Sequence, residues 1–395
     1  MTPPGGVDNK APHGQGLMEP TDVNKPQSAH VLLSIQALRA FAVMGVILFH
    51  IQHYYTNKLQ MPGFLPRFDV GSAGVDLFFV ISGFIMVYAF ERLFGQPGGT
   101  RIFLLRRLAR IVPMYWAATT VFLVYVLAQY GSVAAATNGA GPDFVIASYL
   151  FIPTRPDGWA IPLLAVGWTL NYEMFFYALF GLLIALPRRT VVTVIGALFC
   201  VLIAIRLLGP PLPNPFQTWF SPIIIEFVFG MVIALAYRDG VRIPTWAART
   251  LIAAGLAVFA WSWSQAHFFG PESVTRVFAW GLPALAIVGA FALSETPVTA
   301  NLFWRVCGFL GDASYSLYLM HTLAVGVPVM LLGRFIAPAS APWFYLAAIL
   351  VAAIVPALLV HVYLEKPLTE ALQRRIERRG PTHVATTTPS PQTAP

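Results

Sequence analysis

The sequence predicts an all-α protein: a polytopic membrane bundle of about ten transmembrane helices with both termini in the cytoplasm. Three observations carry this expectation. The chain of 395 residues is 57% hydrophobic and only 11% charged, where soluble domains carry about 25% charged residues. Its apolar residues gather into runs of spanning length separated by charged or Pro/Gly-rich breaks. Its basic residues are also unevenly distributed. With the N-terminus inside, 18 of the 25 Lys and Arg fall on the cytoplasmic side and six on the other, with Arg39 within the first run. That asymmetry follows the positive-inside rule for an even number of crossings. The net charge of +8 therefore reads as topology, and no nucleic-acid partner is expected.

Taken in order, residues 1–30 are polar and rich in Pro and Gly, without the apolar core of a cleavable signal, and are expected to form a disordered cytoplasmic leader. Residues 31–370 form the membrane domain. Its runs lie near 34–54, 71–91, 111–130, 162–186, 190–208, 219–237, 248–266, 276–294, 312–333 and 343–364. A further run, Phe144 to Ile152, is too short to cross and lies between Pro142 and Pro153, so it is expected to be re-entrant or interfacial. A basic helix from Lys366 to Arg379 is expected on the anionic inner leaflet, and residues 371–395 form a basic and disordered cytoplasmic tail. Cys200 and Cys307 read as small apolar packing residues, and neither belongs to a metal-ligand spacing. No metal is expected, and no internal repeat of the transporter kind is visible.

Chemistry is sought among the polar residues inside the runs. Arg39 and His50 both lie in the first. An arginine near the bilayer centre costs roughly 2.5–3.5 kcal/mol on insertion scales, so its presence asks for a function. Eleven residues make about three turns, which places both groups on one helix face roughly 16 Å apart. Asp76, Glu173, Glu226 and His321 are the other embedded groups. His50 near the top of the first helix and Asp76 at the start of the descending second helix are expected to meet, the carboxylate orienting an imidazole that takes a proton from a hydroxyl. A packing histidine is the alternative. Glu226 reads as an interhelical partner. Arg106, Arg107 and Arg110 crowd the start of the third run. Arg106 and Arg110, four apart, share a face suited to clamping phosphates, while a topological stop signal accounts for them equally well.

In order, SIQALRAFAVMGVILFH, GVDLFFVISGFIM, RRLARIVPMYW, VGWTLNYEMFFYALF, SYSLYLMH and YLEKP resemble the motifs of the acyltransferase-3 family of integral membrane acyltransferases, across roughly residues 31–370. Within it they are most similar to the branch of bacterial exopolysaccharide O-acetyltransferases of the succinoglycan-acetylating type. The resemblance implies an enzyme of the bacterial inner membrane that moves an acetyl group from cytoplasmic acetyl-CoA to a hydroxyl of an exopolysaccharide or its lipid-linked oligosaccharide precursor. Acyl-CoA would be a donor substrate, with no permanently bound cofactor, and polysaccharide synthase components are conceivable partners. The family's arginine and histidine separated by ten residues fall on Arg39 and His50, its arginine pair within Arg106 to Arg110, and its glutamate on Glu173. Many members read Trp-Ser-Leu with a second acidic residue, where this chain has Trp168-Thr169-Leu170 and Glu173-Met174. The hydrolase-like domain fused to some members is not expected here.

The resemblance and the helix geometry together imply His50, Glu173 and Asp76 as the catalytic set, with Arg106, Arg107 and Arg110 on the nucleotide and Arg39 along the donor path. Asn171, Tyr172 or Arg39 would stabilise the oxyanion, and Trp168 belongs to the same motif. Direct transfer and an acyl-histidine intermediate stay open. Ser82 is expected mainly to allow close helix packing, and Tyr315 and His321 to give structural support. Two other classes compete: a carrier or exporter for glycan precursors, in which the buried charges form a proton relay, and a non-catalytic scaffold of a polysaccharide synthase.

Overall fold

The computed structural model describes residues 25–378 apart from 138, 155–159, 266, 297, 299 and 300, with side chains from residue 31 onward. Of the expected leader 1–30, residues 1–24 lie outside the described residues, whereas 25–30 are helical and open α1; the tail beyond residue 378 also lies outside the described residues. No strand forms among the described residues; a lone bridge pairs Ile243 with Ser294. Each of the ten apolar runs contains helix, although the runs near 162–186 and 219–237 also include non-helical turns. In chain order the elements are α1 (Lys25–Asn57), α2 (Gly74–Ala89), α3 (Gly99–Tyr130), α4 (Pro142–Tyr149), α5 (Trp168–Leu183), α6 (Arg188–Leu208), α7 (Ile225–Arg238), α8 (Thr245–Ser264), α9 (Leu282–Leu293), α10 (Leu302–Asp312), α11 (Ser314–Ala324), α12 (Pro342–Val360) and α13 (Lys366–Arg378).

Seven helical stretches are long and apolar enough to cross a membrane: α1, α2 with its leading turn, α3, α6, the stretch ending in α9, the stretch opening with α11, and α12 with α13. α5, α7 and α8 occupy the remaining three runs and fall short of that length or hydropathy. Large apolar side chains such as Leu182, Leu208, Phe278 and Val351 stand exposed around the bundle, a surface that lipid, not water, would cover.

α1 runs through the middle of the bundle, with Val43, Ile47 and Ile51 fully buried. α2 and α7 approach each other through glycine. A Cβ on Gly83 of α2 would strike the Phe227 carbonyl of α7, and one on Gly230 would strike the Val80 carbonyl, so these two backbones touch. Small residues at a crossing are how membrane helices reach van der Waals contact. Phe79 and Phe176 stack on either side of Phe227, with ring centroids 4.5 and 4.4 Å away.

The Phe144–Ile152 run contains α4, eight residues long and thus about 12 Å, against a hydrocarbon core of about 30 Å. It lies along α3, tied by Tyr115 Oη donating to the Ser148 carbonyl at 3.0 Å and Trp116 Nε1 to the Tyr149 carbonyl at 2.9 Å. α10 is an addition to the expected elements. Its Gly311 packs on the backbone of Gln36, and an 11-residue amphipathic helix is too short to register as an apolar run. The expected basic helix is present as α13, beside the start of α3 through an Arg106–Glu377 ion pair of 2.9 Å.

Candidate active site

A cavity of about 300 Å³ opens where α1, α2, α3, α5 and α11 converge. Helix periodicity explains which side chains reach it. Thr169, Glu173 and Tyr177 repeat every fourth residue along α5, and Arg107, Arg110 and Ile111 share one face of α3. α1 contributes Gln36 and Arg39, α2 contributes Phe78 and Ser82, and α11 contributes Ser314, Tyr315 and Tyr318.

The end of the cavity nearest the start of α3, here the basic end, holds three guanidinium groups. Arg39 Nη1 donates to Gln36 Oε1 at 3.1 Å, and Gln36 is held in turn by Asp312 at 2.6 Å. Arg107 is buried, its guanidinium 4.5 Å from the Phe90 ring centroid and 5.7 Å from that of Tyr177. Its Nε meets no hydrogen-bond acceptor. Among the described residues, neither Arg107 nor Arg110 forms an ion pair. Three cations without carboxylate partners suit an anionic ligand, and a buried orphan donor marks where an acceptor is missing. Higher up, Glu173 accepts from Ser82 Oγ at 2.9 Å and from Tyr177 Oη, both on one carboxylate oxygen. Tyr315 lines the wall and donates to the Ile111 carbonyl at 2.7 Å.

Tyr318 forms the cavity's upper limit. Its hydroxyl bonds the Val166 carbonyl and Thr169 Oγ1, both at 3.0 Å. Its ring lies 6.1 Å from Phe78 on one side and 6.1 Å from His321 on the other. His321 Nε2 then approaches His50 Nδ1 at 3.3 Å. The tautomers of this pair follow from its carbonyl neighbours. His50 Nδ1 lies 2.9 Å from the Val46 carbonyl and His321 Nδ1 lies 3.0 Å from that of Leu317. A carbonyl only accepts, so each Nδ1 carries a hydrogen, and in the neutral ring each Nε2 holds a lone pair. His50 thus shares its Nδ1 hydrogen between Val46 and His321, and its Nε2 is left as a base.

The expected His50–Asp76 contact is corrected by a stronger partner. Asp76 is fully buried and takes both oxygens to Arg276, Nε at 3.0 Å and Nη2 at 2.7 Å. Arg276 also donates to the carbonyls of Phe269 and Ser72 and packs over Trp280. Arg276 reads from sequence as a loop cation, whereas it is a buried countercharge, and Asp76 has a structural role. Glu226, expected as an interhelical partner, is buried beside this pair, but neither of its carboxyl oxygens meets a hydrogen-bond partner among the described residues. Glu173 makes no hydrogen bond to His50 among the described residues; it belongs to the Ser82–Tyr177 network one or two turns below.

The phosphate clamp expected from Arg106 and Arg110 is likewise re-paired. Arg107 and Arg110 line the cavity, whereas Arg106 turns to Glu377. Trp168 and Tyr172 lie on another face of α5, toward a separate pocket of about 190 Å³ with Arg206 and Glu272, where Tyr172 Oη donates to Ser221 Oγ at 3.3 Å. Asn171 is buried off the cavity lining, two residues from Glu173 and so on a different face. Neither Asn171 nor Tyr172 is placed to meet an oxyanion in this cavity. Ser82 moves the other way: neighbouring Gly83 does the close packing, and Ser82 binds Glu173. His321, expected as support, is the direct partner of His50. Sequence reasoning passed over Gln36, Tyr177 and Tyr318. The Thr169–Glu173–Tyr177 spacing was the available signal for one of them.

Comparison with known proteins follows the same residues. A family model described as an acyltransferase domain matches residues 32–361. The chain is 36% identical over 271 residues to the exopolysaccharide production protein ExoZ of Rhizobium meliloti, covering 66% of this chain and 78% of ExoZ. It is 28% identical over 378 residues to the acyltransferase MdmB of Streptomyces mycarofaciens, covering 87% of this chain and 93% of MdmB. The putative peptidoglycan O-acetyltransferase YrhL of Bacillus subtilis is 24% identical over 385 residues, 90% of this chain and 58% of YrhL. No solved structure matches the chain.

Proposed function

The chain belongs to the acyltransferase domain family and is a membrane acyltransferase, and from that membership we propose that it moves an acetyl group from acetyl-CoA on the cytoplasmic side to a hydroxyl of an exopolysaccharide or its lipid-linked precursor beyond the inner membrane. One observation carries the reading: a single cavity leads from three guanidiniums that form no ion pair among the described residues to a tyrosine that separates it from the His50–His321 pair.

The basic end suits the donor. Arg39, Arg107 and Arg110 would hold the phosphates of the donor nucleotide, since guanidinium groups form forked, charge-assisted bonds to phosphate oxygens. The mostly apolar wall of α2 above them accepts an uncharged arm. Movement of the Tyr318 and Phe78 rings would admit the thioester to the imidazole pair. His50 Nε2 takes the hydroxyl proton as the sugar oxygen attacks the thioester carbonyl; the new C–O bond forms, the C–S bond breaks, and the proton passes to the departing thiolate. His321 accepts the Nδ1 hydrogen throughout, which fixes the ring and steadies the transient imidazolium. Cytoplasmic placement of the basic end rests on the distribution of Lys and Arg, and the Arg106–Glu377 pair brings the start of α3 and the end of α13 to that same end.

Inverted membrane vesicles given labelled acetyl-CoA test this. Label is expected in alkali-labile ester on the glycan. Arg110→Gln is expected to raise the KM for acetyl-CoA about tenfold, the loss of one charge-assisted bond of roughly 1.5 kcal/mol. An intact protein that labels no glycan sinks the reading, and an unchanged KM removes Arg110 from the donor site.

A further inference from the structure

At the end of the bundle opposite Arg39 lies a pocket of about 710 Å³, formed by the top of α1, the loop that follows it and Phe268. We propose that this pocket binds the acceptor as a neutral sugar unit, with Phe49 and Phe268 forming the platform and Gln52, Thr56, Asn57 and Asp69 reading the hydroxyls. The inference rests on the glycan-acylation reading and adds where the acceptor sits and which of its features is recognised.

Position comes first. Phe49, Gln52 and His53 line the pocket, and they flank His50 on α1. The Phe49 ring lies 5.0 Å from the His50 ring, edge to face. A hydroxyl on a sugar resting against Phe49 is therefore one ring away from the base. The imidazole pair stands between the two compartments, with Tyr318 of the basic cavity on one side and Phe49 of this pocket on the other.

Chemistry then selects the ligand. Phe49 and Phe268 stack at 5.8 Å with an interplanar angle of 11°, offering an apolar face to the C–H face of a pyranose. The polar groups beside them have bonding capacity left over. Gln52 Nε2 donates to Thr56 Oγ1 at 2.9 Å, which leaves the Gln52 carbonyl oxygen and the Thr56 hydroxyl hydrogen for a ligand. Asn57 Nδ2 donates to the His53 carbonyl at 3.1 Å and keeps its own oxygen. Asp69 Oδ2 is buried and accepts no hydrogen bond among the described residues, although Arg67 Nε lies 3.4 Å away. Such a mixed set of donors and acceptors fits vicinal hydroxyls. Charge separates the two compartments: three arginines and one glutamate line the basic cavity, none of those arginines in an ion pair among the described residues, whereas Arg67 and Asp69 here offset each other. A phosphate or diphosphate would find no net attraction in this pocket. Its volume falls in the usual range for small-molecule sites, about 300–1,000 Å³.

The test uses the full chain in lipid nanodiscs. The probe is a tritium-labelled set of neutral oligosaccharides released from the cell's own exopolysaccharide, followed both for binding at equilibrium and for acyl transfer. Asn57→Leu and Phe268→Ala are each expected to weaken binding about tenfold and to raise the acceptor KM in proportion, with the KM for acetyl-CoA within twofold of wild type. Trp168→Ala, in the separate pocket against Tyr172, is expected to move neither. Size-exclusion profiles establish that each variant is folded. The proposal is overturned if the wild type does not bind the probe, if Asn57→Leu and Phe268→Ala bind it as the wild type does, or if Trp168→Ala is the variant that weakens binding. Binding that follows the expected order without any acyl transfer would leave the pocket standing and bring down the acylation reading; transfer that persists with unaltered binding in both variants would do the reverse.

Discussion

His50→Ala is expected to lower acyl transfer by roughly 10²–10⁴-fold, the range that a positioned general base contributes. Among the described residues nothing bonds His50 Nε2, its ring is held at Nδ1, and it stands between two compartments with His321 as the other ring at that position. His321→Gln removes the imidazole that accepts from His50 Nδ1 but leaves the Val46 carbonyl to hold the tautomer. Its expected loss is smaller, about tenfold, and its pH profile should shift because the imidazolium formed on His50 is less well supported. His267, exposed and set against the ring of Phe269, serves as the control, and His267→Ala should transfer acetyl at the wild-type rate. Activity in His50→Ala within tenfold of wild type would remove the base from the mechanism.

The second large effect is on stability. Asp76→Ala takes from buried Arg276 its bidentate carboxylate and leaves, among the described residues, the Phe269 and Ser72 carbonyls as its hydrogen-bond acceptors, with the Glu226 carboxyl nearby; removing one member of a buried ion pair costs about 3–5 kcal/mol. A marked fall in the unfolding temperature of the purified protein in detergent is expected. The double change Asp76→Leu with Arg276→Met should recover much of that loss, because the cost arises from the stranded charge and not from the missing attraction. Transfer per folded molecule should remain within a few-fold of wild type in Asp76→Asn, since the carboxylate is bonded to Arg276 and not to His50. If Asp76→Ala unfolds at the wild-type temperature, the pair carries no structural weight.

These two residues also show what the sequence could and could not disclose. Helix positions were legible because hydropathy and length are local, and each of the ten apolar runs contains helix. The four-residue spacing of Thr169, Glu173 and Tyr177 was local too and places those side chains in one cavity. Partner choice was not local. Asp76 and Arg276 are 200 residues apart and His50 and His321 are 271 apart, so no spacing rule joins them, and proximity along the bundle suggested the wrong pair. Arg106, Arg107 and Arg110 are equivalent by composition. Only the packing of α13 shows that Glu377 claims the first and leaves the other two to the cavity. α10 is hidden in the sequence for a different reason, being short and amphipathic and so giving no long apolar run.

The imidazole pair that separates the two compartments has an electrical consequence. In the proposed reaction an acyl group, formally a cation, leaves the basic cavity toward the far side, and the proton of the sugar hydroxyl travels the opposite way to the thiolate. One positive unit moves in each direction, so no net charge crosses the field, in which a single elementary charge would otherwise gain or lose about 2.3 kcal/mol per 100 mV. Thioester cleavage alone then drives the exchange, and an ionophore that collapses the transmembrane voltage should leave its equilibrium where it was.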